Sequence, residues 1–581
     1  MRALEVFTPC ITVIALAYAL KGLTEATDSN PSMLIALAAL PMLSAPTFHF
    51  APGVGLAAGR MGDPQLYWDA PSQTYHIQPQ YWPATAPPYH SDCDVHLPAG
   101  WGHATSTDLV GNFVELPITF GPCSISTLDE YTAAGTGCTL RLNSTHVGSL
   151  VNGDSTVGWE TTNNYAAVID STQDALLVSW TQVSHGIEGN HSAGETGWLG
   201  TPGNHIPPPY GLIGNVVAYH NTSAGESVVM AVVSSSVGDP RDDSARPAFL
   251  LYRSYDFASW QYMHPLYTHP TAMSRAECGD FFPIGLGAHG VTAANVDFGK
   301  AAADAHWVLM WSRPARNGGG QSRSAGVVYF VGRLRPDGSF EPLTPLQAAD
   351  YGASFYASQS VLGSNDIRLL MARVEGAQSL PRAVTLNEDL SLNFQPSVAL
   401  AKHRTGTPLL LTNQSVSSSV PLPLPPLSQM LDALDLTIKV RGEEASSGQP
   451  AFVLREAARA VPALSLSIDF NSTTPTGTGQ MRVLNIVAGG FNDSIPIAGS
   501  LVGSATFRVV VDGHIVEIFA GATPLTLILT LIYEPRGNLQ ATVEVVGGGA
   551  GPFWFDVEAH RVAPATITST STSRWKEGVD V

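Results

Sequence analysis

Charge is scarce in this chain of 581 residues: only 13% are Asp, Glu, Lys or Arg, and 29 basic residues face 48 acidic ones, for a formal net charge of −19. A field of that sign repels polyanions, which argues against nucleic acid as a partner and for a neutral or small ligand. Cysteine is also rare. Of the five, Cys10 lies in an N-terminal apolar run, and Cys93, Cys123, Cys138 and Cys278 lack the Cys-x-x-Cys or Cys-x-x-His spacing that holds zinc. A Cys123–Cys138 disulfide suits an oxidising compartment, with two buried free thiols as the alternative. A glycine-rich phosphate loop, a dinucleotide fingerprint and a serine-nucleophile elbow are missing, so no cofactor is expected. His49, His103 and His514 are far apart in sequence and read as structural histidines, not metal ligands.

What is present is apolar and β-like. Hydrophobic residues make up 44% of the chain, enough for a sizeable core, and the length predicts two domains. Long helical periodicity is nearly absent. From residue 47 to 400 short β-runs such as 176–183, 227–233, 307–311, 327–334 and 367–374 recur between Gly, Pro, Asn and Ser clusters, the pattern of a propeller or a large sandwich. The Ser- and Pro-rich stretch inside 401–427 reads as an extended linker, and 428–562 as a β-sandwich. Within that block two β-branched runs flank Asp512-Gly513, a hairpin signal. The Ser/Thr-rich residues 563–581 read as a flexible tail. Residues 1–46 hold two apolar runs, 7–22 and 33–43, that suggest an export signal or, alternatively, a membrane anchor. Asn-x-Ser/Thr sequons at Asn143, Asn190, Asn221, Asn413, Asn471 and Asn492 fit a secreted surface carrying N-glycans.

Two carboxylates stand out. Asp63, in Arg60-Met-Gly-Asp-Pro-Gln65, sits where a Gly-rich loop runs into the strand-like Leu66-Tyr67-Trp68, and Glu277, in Ala276-Glu-Cys-Gly-Asp-Phe-Phe-Pro283, lies beside glycine and an aromatic pair. A glycosidase needs two carboxyl groups about the scissile bond, one ionised and one kept protonated by its surroundings. On pattern alone, an Asp before Pro is an ordinary turn-former and a Glu beside Cys carries no message.

Their context adds more. Phe48-His-Phe-Ala-Pro52 with Met61-Gly-Asp-Pro-Gln65, Tyr75-His-Ile-Gln-Pro-Gln-Tyr-Trp-Pro83, Trp101-Gly-His-Ala104, Leu251-Tyr-Arg-Ser-Tyr-Asp256, Glu277-Cys-Gly-Asp-Phe-Phe282, Phe355-Tyr-Ala-Ser358 and the Asp512-Gly513 hairpin occur in one order along residues 47 to 560. Together they resemble glycoside hydrolase family 32, the β-fructofuranosidases, invertases, inulinases and fructosyltransferases. The resemblance implies an all-β chain, a five-bladed β-propeller followed by a C-terminal β-sandwich. It also implies Asp63 as nucleophile, Glu277 as acid/base, Gln80 and Thr136 as sugar-binding residues, and a fructose-containing oligo- or polysaccharide as substrate.

The chain departs from the family pattern at several points. The Arg-Asp-Pro expected after a Thr-Gly-aromatic triplet is replaced by Leu199-Gly-Thr-Pro202 after Thr196-Gly-Trp198, and Asp239-Pro240-Arg241 has the right residue types in an unsuitable place. Gly62, Gln65 and Gly279 replace family Asn, Asn and Pro, and the tryptophan-rich stretch expected near 371–378 is absent. The expected function is therefore a retaining β-fructofuranosidase, with a catalytically silent, sugar-binding or structural relative as the alternative.

Overall fold

The computed structural model describes residues 46–51, 60–82, 100–120, 131–155, 163–187, 216–221, 228–238, 244–286, 305–314, 326–417 except 353 and 375, 422–424, 433–442, 449–456, 464–476, 479–488, 491–497, 504–528 except 522, 539–546 and 552–569. The N-terminal apolar runs, Cys93, Cys123, Asn190, the 196–202 stretch and Asp239-Pro240-Arg241 lie outside them.

Five antiparallel sheets follow one another along the chain. Blade 1 runs outward from Leu66–Asp69 through Thr74–Ile77 and Gly100–Ser106 to Phe113–Phe120, with Arg60–Met61 and Gln80–Trp82 on the near side of Gly100–Ser106. The innermost strands of blades 2 to 5 are Tyr131–Arg141, Val216–Asn221, Glu277–Ile284 and Tyr356–Leu362. The five innermost strands pack against one another in a closed ring, which makes this a five-bladed propeller. Residues that alternate along the strands fill the gaps between blades. Trp101, Phe120 and Val151 lie between blades 1 and 2, Leu150, Ala231 and Tyr252 between 2 and 3, and Phe249, Trp307 and Trp311 between 3 and 4. Phe282, Phe355 and Phe394 join blades 4 and 5, and Ile77, Val361 and Met371 close the ring between 5 and 1.

Two six-stranded sheets form the C-terminal sandwich. The strand Ala433–Gly442 shows how: Leu434, Leu436, Ile438 and Val440 are buried between the sheets at every second position, the period that turns alternate side chains to opposite faces. Asp512 and Ile515 are paired across Gly513 and His514, the hairpin expected from sequence. Gly513 has φ 59°, the conformation for which glycine is suited.

Two boundaries differ from expectation. Part of the expected linker, Arg404–Val416, is an edge strand paired with Phe553–Val562, because its extended residues find a free sheet edge. The expected flexible tail begins with a strand, Ile567–Ser569, which pairs in parallel with Phe113–Glu115 on the rim of blade 1. Cys138 is a free buried thiol, so it forms no disulfide with Cys123.

A buried ion network joins propeller to sandwich. Arg382 of blade 5, fully buried, donates to Glu517 (2.6 and 3.1 Å), to Asp350 (2.8 Å) and to Thr526 (2.6 Å), while its guanidinium lies over the rings of Phe355 and Phe519. His49 bridges Asp512 (2.8 Å) and Glu517 (3.0 Å), and Asp512 also accepts from the backbone N–H groups of Phe48 and His49. Burial alone would depress His49, but its hydrogen bonds to Asp512 and Glu517 and their charges outweigh burial and raise its pKa to about 9. For Glu517, burial is outweighed by Arg382 and His49, which lower its pKa to about 2.

The signs fix a stability window. The His49 contribution is complete below its ordinary value of 6.5 and is lost as pH rises through about 9. The Glu517 contribution is complete above its ordinary value of 4.5 and fades as pH falls toward about 2. Stability from this network should thus plateau between those ordinary values, and His49→Gln should flatten the alkaline limb of a plot of unfolding midpoint against pH. Arg382→Met removes the buried cation that Glu517 and Asp350 share, at a cost of about 3–5 kcal/mol. Calorimetry should show it as a lowered unfolding temperature.

Candidate active site

The site forms where the innermost strands of blades 1, 2, 4 and 5 begin or bend. Asp63 precedes strand Leu66–Asp69, in a segment fastened to its neighbour by Gly62 N–H to Gln80 O (2.8 Å) and Gln80 N–H to Asp63 O (3.0 Å). Gln378 of blade 5 holds the same segment through the Gly62 carbonyl (2.7 Å). Three further innermost strands break register here: between Ala134 and Gly137, between Glu277 and Asp280, and between Tyr356 and Gln359. Such bulges turn a side chain away from the regular pleat, and two of them place non-glycine residues, Cys278 (φ 47°) and Ala357 (φ 53°), in the left-handed region. Gly279 is required at its bulge for a separate reason: a Cβ there would meet Ser234 Oγ at 2.1 Å, where the Gly279 N–H now donates to that oxygen.

The geometry brings the four sequence-predicted residues together. Thr136 Oγ1 donates to Asp63 Oδ2 (3.5 Å), and the Cys278 thiol donates to the same oxygen (3.3 Å), so Glu277, one residue earlier, shares the site. Gln80 neighbours Asp63 through the backbone pairing above and is partly buried. Each carboxylate also has a basic partner that the sequence reading missed. Arg373 Nη1 is 3.7 Å from Asp63 Oδ1, and Arg275 pairs with Glu277 Oε1. The Tyr356 hydroxyl donates to Glu277 Oε2.

Arg275 lies two residues before Glu277, just ahead of the strand Glu277–Ile284, where strand periodicity gives no signal. Tyr356 lies inside the Phe355-Tyr-Ala-Ser358 element already singled out. Arg373 gave none, because only the folding of blade 5 against blade 1 brings it to Asp63.

Exposure separates the two acids: the Asp63 side chain is 11% exposed and that of Glu277 25% exposed. Burial pushes the Asp63 pKa up and the charge of Glu277 adds to this, against the opposing pull of Arg373 and the hydrogen bonds from Cys278 and Thr136. Burial, reinforced by Asp63 and Glu277, holds the Cys278 thiol well above its ordinary value, and burial together with Glu277 does the same for the Tyr356 phenol. Both therefore stay protonated as donors to the carboxylates. The arrangement is that of a deeper carboxylate able to attack, and a more accessible one able to exchange a proton with a leaving group or water.

The histidines singled out in sequence lie elsewhere: His49 in the inter-domain network, His103 against His76 (2.9 Å) within blade 1, and His514 in the sandwich hairpin. Among the described residues no cluster of three or more His, Cys, Asp or Glu could hold a metal ion. Because burial also pushes the Cys138 thiol up to about 12, neither Cys138 nor Cys278 should react with iodoacetamide at pH 8 in the native protein. Peptide mass spectrometry should find both modified only after unfolding.

Residues 229–396 match the model of the glycosyl hydrolases family 32 N-terminal domain. The chain is 27% identical to raffinose invertase of Escherichia coli over 356 residues, 58% of this chain and 60% of that protein, so the match spans less than two thirds of the relative. Its fold is similar to that of fructan 1-exohydrolase IIa from Cichorium intybus (TM-score 0.66, 19% identity, 91% of this chain and 99% of that one). The exo-inulinase from Aspergillus awamori (TM-score 0.63, 16% identity, 90% and 99%) and a β-fructofuranosidase from Bombyx mori (TM-score 0.58, 16% identity, 91% and 96%) are also similar. With this propeller, this sandwich and these matches, the chain is similar to the proteins of glycoside hydrolase family 32.

Proposed function

We propose that this protein is a retaining glycoside hydrolase acting on β-fructofuranosides of the sucrose, inulin or levan type. The observation that carries this reading is the convergence of Asp63 and Glu277, linked through Cys278, at the inner ends of the propeller strands. In the first step Asp63 attacks the anomeric carbon, the glycosidic C–O bond breaks, and Glu277 gives its proton to the departing oxygen. In the second, Glu277 takes a proton from water, whose oxygen displaces Asp63 and releases fructose. Thr136 and Cys278 hold the attacking carboxylate by hydrogen bonds, and Gln80 and Thr136 are the proposed sugar contacts. Raffinose invertase and fructan exohydrolase among the relatives support a fructosyl substrate. Export and N-glycosylation complete the proposal: Asn143 and Asn413, both in sequons, have exposed side chains.

The test is fructose release from sucrose, inulin and levan. Asp63→Asn and Glu277→Gln should each lower kcat by about 10²–10⁴-fold or more. The product should first appear as the anomer of the substrate's own configuration by NMR. Glu277→Gln should recover rate on a fructoside whose leaving group needs no protonation, and Asp63→Asn should not. Sugar binding without turnover in the parent protein would favour the silent-relative reading. Protein secreted from a eukaryotic host should lose mass with an N-glycan-releasing amidase, with Asn143 and Asn413 converted to Asp.

A further inference from the structure

The Arg-Asp-Pro element is replaced at its expected place by Leu199-Gly-Thr-Pro202. Two guanidinium groups nevertheless reach the catalytic carboxylates, Arg373 from a strand of blade 5 and Arg275 from the segment just before the strand of Glu277. Arg373 belongs to the second strand of blade 5, Arg368–Val374, directly opposite Tyr356 in the ladder, and lies over that tyrosine's ring at 6.0 Å. It falls in the 371–378 stretch where the family's tryptophans are expected, and it delivers a cation to Asp63 at 3.7 Å. Arg275 comes two residues before Glu277 and engages Oε1, while Tyr356 takes Oε2. Tyr356 thus lies between the two pairs, against Arg373 on one side and Glu277 on the other.

We propose that Arg373 and Arg275 are positioning residues, each orienting one carboxylate by its guanidinium, with Arg373 also bearing on the pH range in which Asp63 is competent. This rests on the glycosidase reading above. Asp63 is faced by Arg373, Cys278 and Glu277; Glu277 is faced by Arg275, Tyr356, Cys278 and Asp63. Since the thiol and the phenol stay protonated, the arginines supply the positive charge among the described partners.

The two arginines carry distinct experimental signatures. Asp63 must be ionised to attack, so the acid limb of kcat/KM against pH reports its titration. Removing the Arg373 cation makes ionisation harder and moves that limb to higher pH. Arg275 holds Glu277 by Oε1, so its removal should lower kcat/KM most on substrates whose leaving oxygen needs a proton.

The experiment is kcat/KM against pH on a β-fructofuranoside for the full chain, with Arg373→Met, Arg373→Lys, Arg275→Met and Arg275→Lys, each checked for a parent-like unfolding temperature. The expected result is an upward move of the acid limb by at least half a pH unit in Arg373→Met, and in Arg275→Met a fall in kcat/KM of at least tenfold on sucrose that shrinks on a fructoside whose leaving group needs no protonation. Each lysine variant should recover most of the change. A working parent whose acid limb stays in place in Arg373→Met and whose kcat/KM is unchanged in Arg275→Met, or a uniform loss of rate that lysine does not repair, overturns this inference alone. A parent that releases no fructose from any of these substrates overturns both it and the reading beneath it.

Discussion

Everything in this molecule is arranged around one buried ionic contact, that of Arg382 with Glu517 and Asp350, extended through His49 to Asp512. Blade 5, the sandwich and the segment that leads into blade 1 each supply one or more members. Such a cluster is weak as a source of net stability, since desolvation offsets much of the attraction, but it is strongly selective. A sandwich displaced by a few ångströms would leave unpaired charge in a dry interface. The cluster therefore fixes which face of the sandwich meets the propeller. His49 also ties down the stretch that leads toward Met61 and Asp63, so the inter-domain contact bears indirectly on where the Asp63 carboxylate sits.

The second constraint is the closed ring of innermost strands. A propeller brings the starts of several strands to one axial opening whatever their separation in the chain, and here the bulges at Thr136, Cys278 and Ala357 turn individual residues inward. The strain of positive φ at Cys278 and Ala357 is held by packing and by specific hydrogen bonds, such as Ala357 N–H to Ser312 Oγ at 2.8 Å. Backbone geometry and site chemistry coincide at Cys278, whose bulge aims its thiol at Asp63 while Glu277 beside it meets Arg275 and Tyr356.

Divergence from the family pattern takes a physical form that single positions do not reveal. Gly279 stands in place of proline because its amide and its missing Cβ both serve the close approach of Ser234. Arg373 stands in the stretch expected to carry tryptophan, and brings a cation to the Asp63 carboxylate. The site has kept its two acids while exchanging what surrounds them.

The sequence by itself determined the all-β character, the alternation that builds each sheet, the Asp512-Gly513 turn and the two candidate acids, because these depend on local spacing and short motifs. The order of those motifs was enough to set the family resemblance and, through it, Gln80 and Thr136. Only the tertiary structure decided that the Phe48-His49 and Asp512-Gly513 elements touch, that the Pro-rich connection begins as a sandwich edge strand, that Ile567–Ser569 extends blade 1, and that Arg373 faces Asp63. Each of these joins residues from distant parts of the chain through a sheet edge or a charge pair. Neither leaves a periodic trace, because an unpaired strand edge accepts any extended segment and a buried carboxylate any cation that the fold brings within reach.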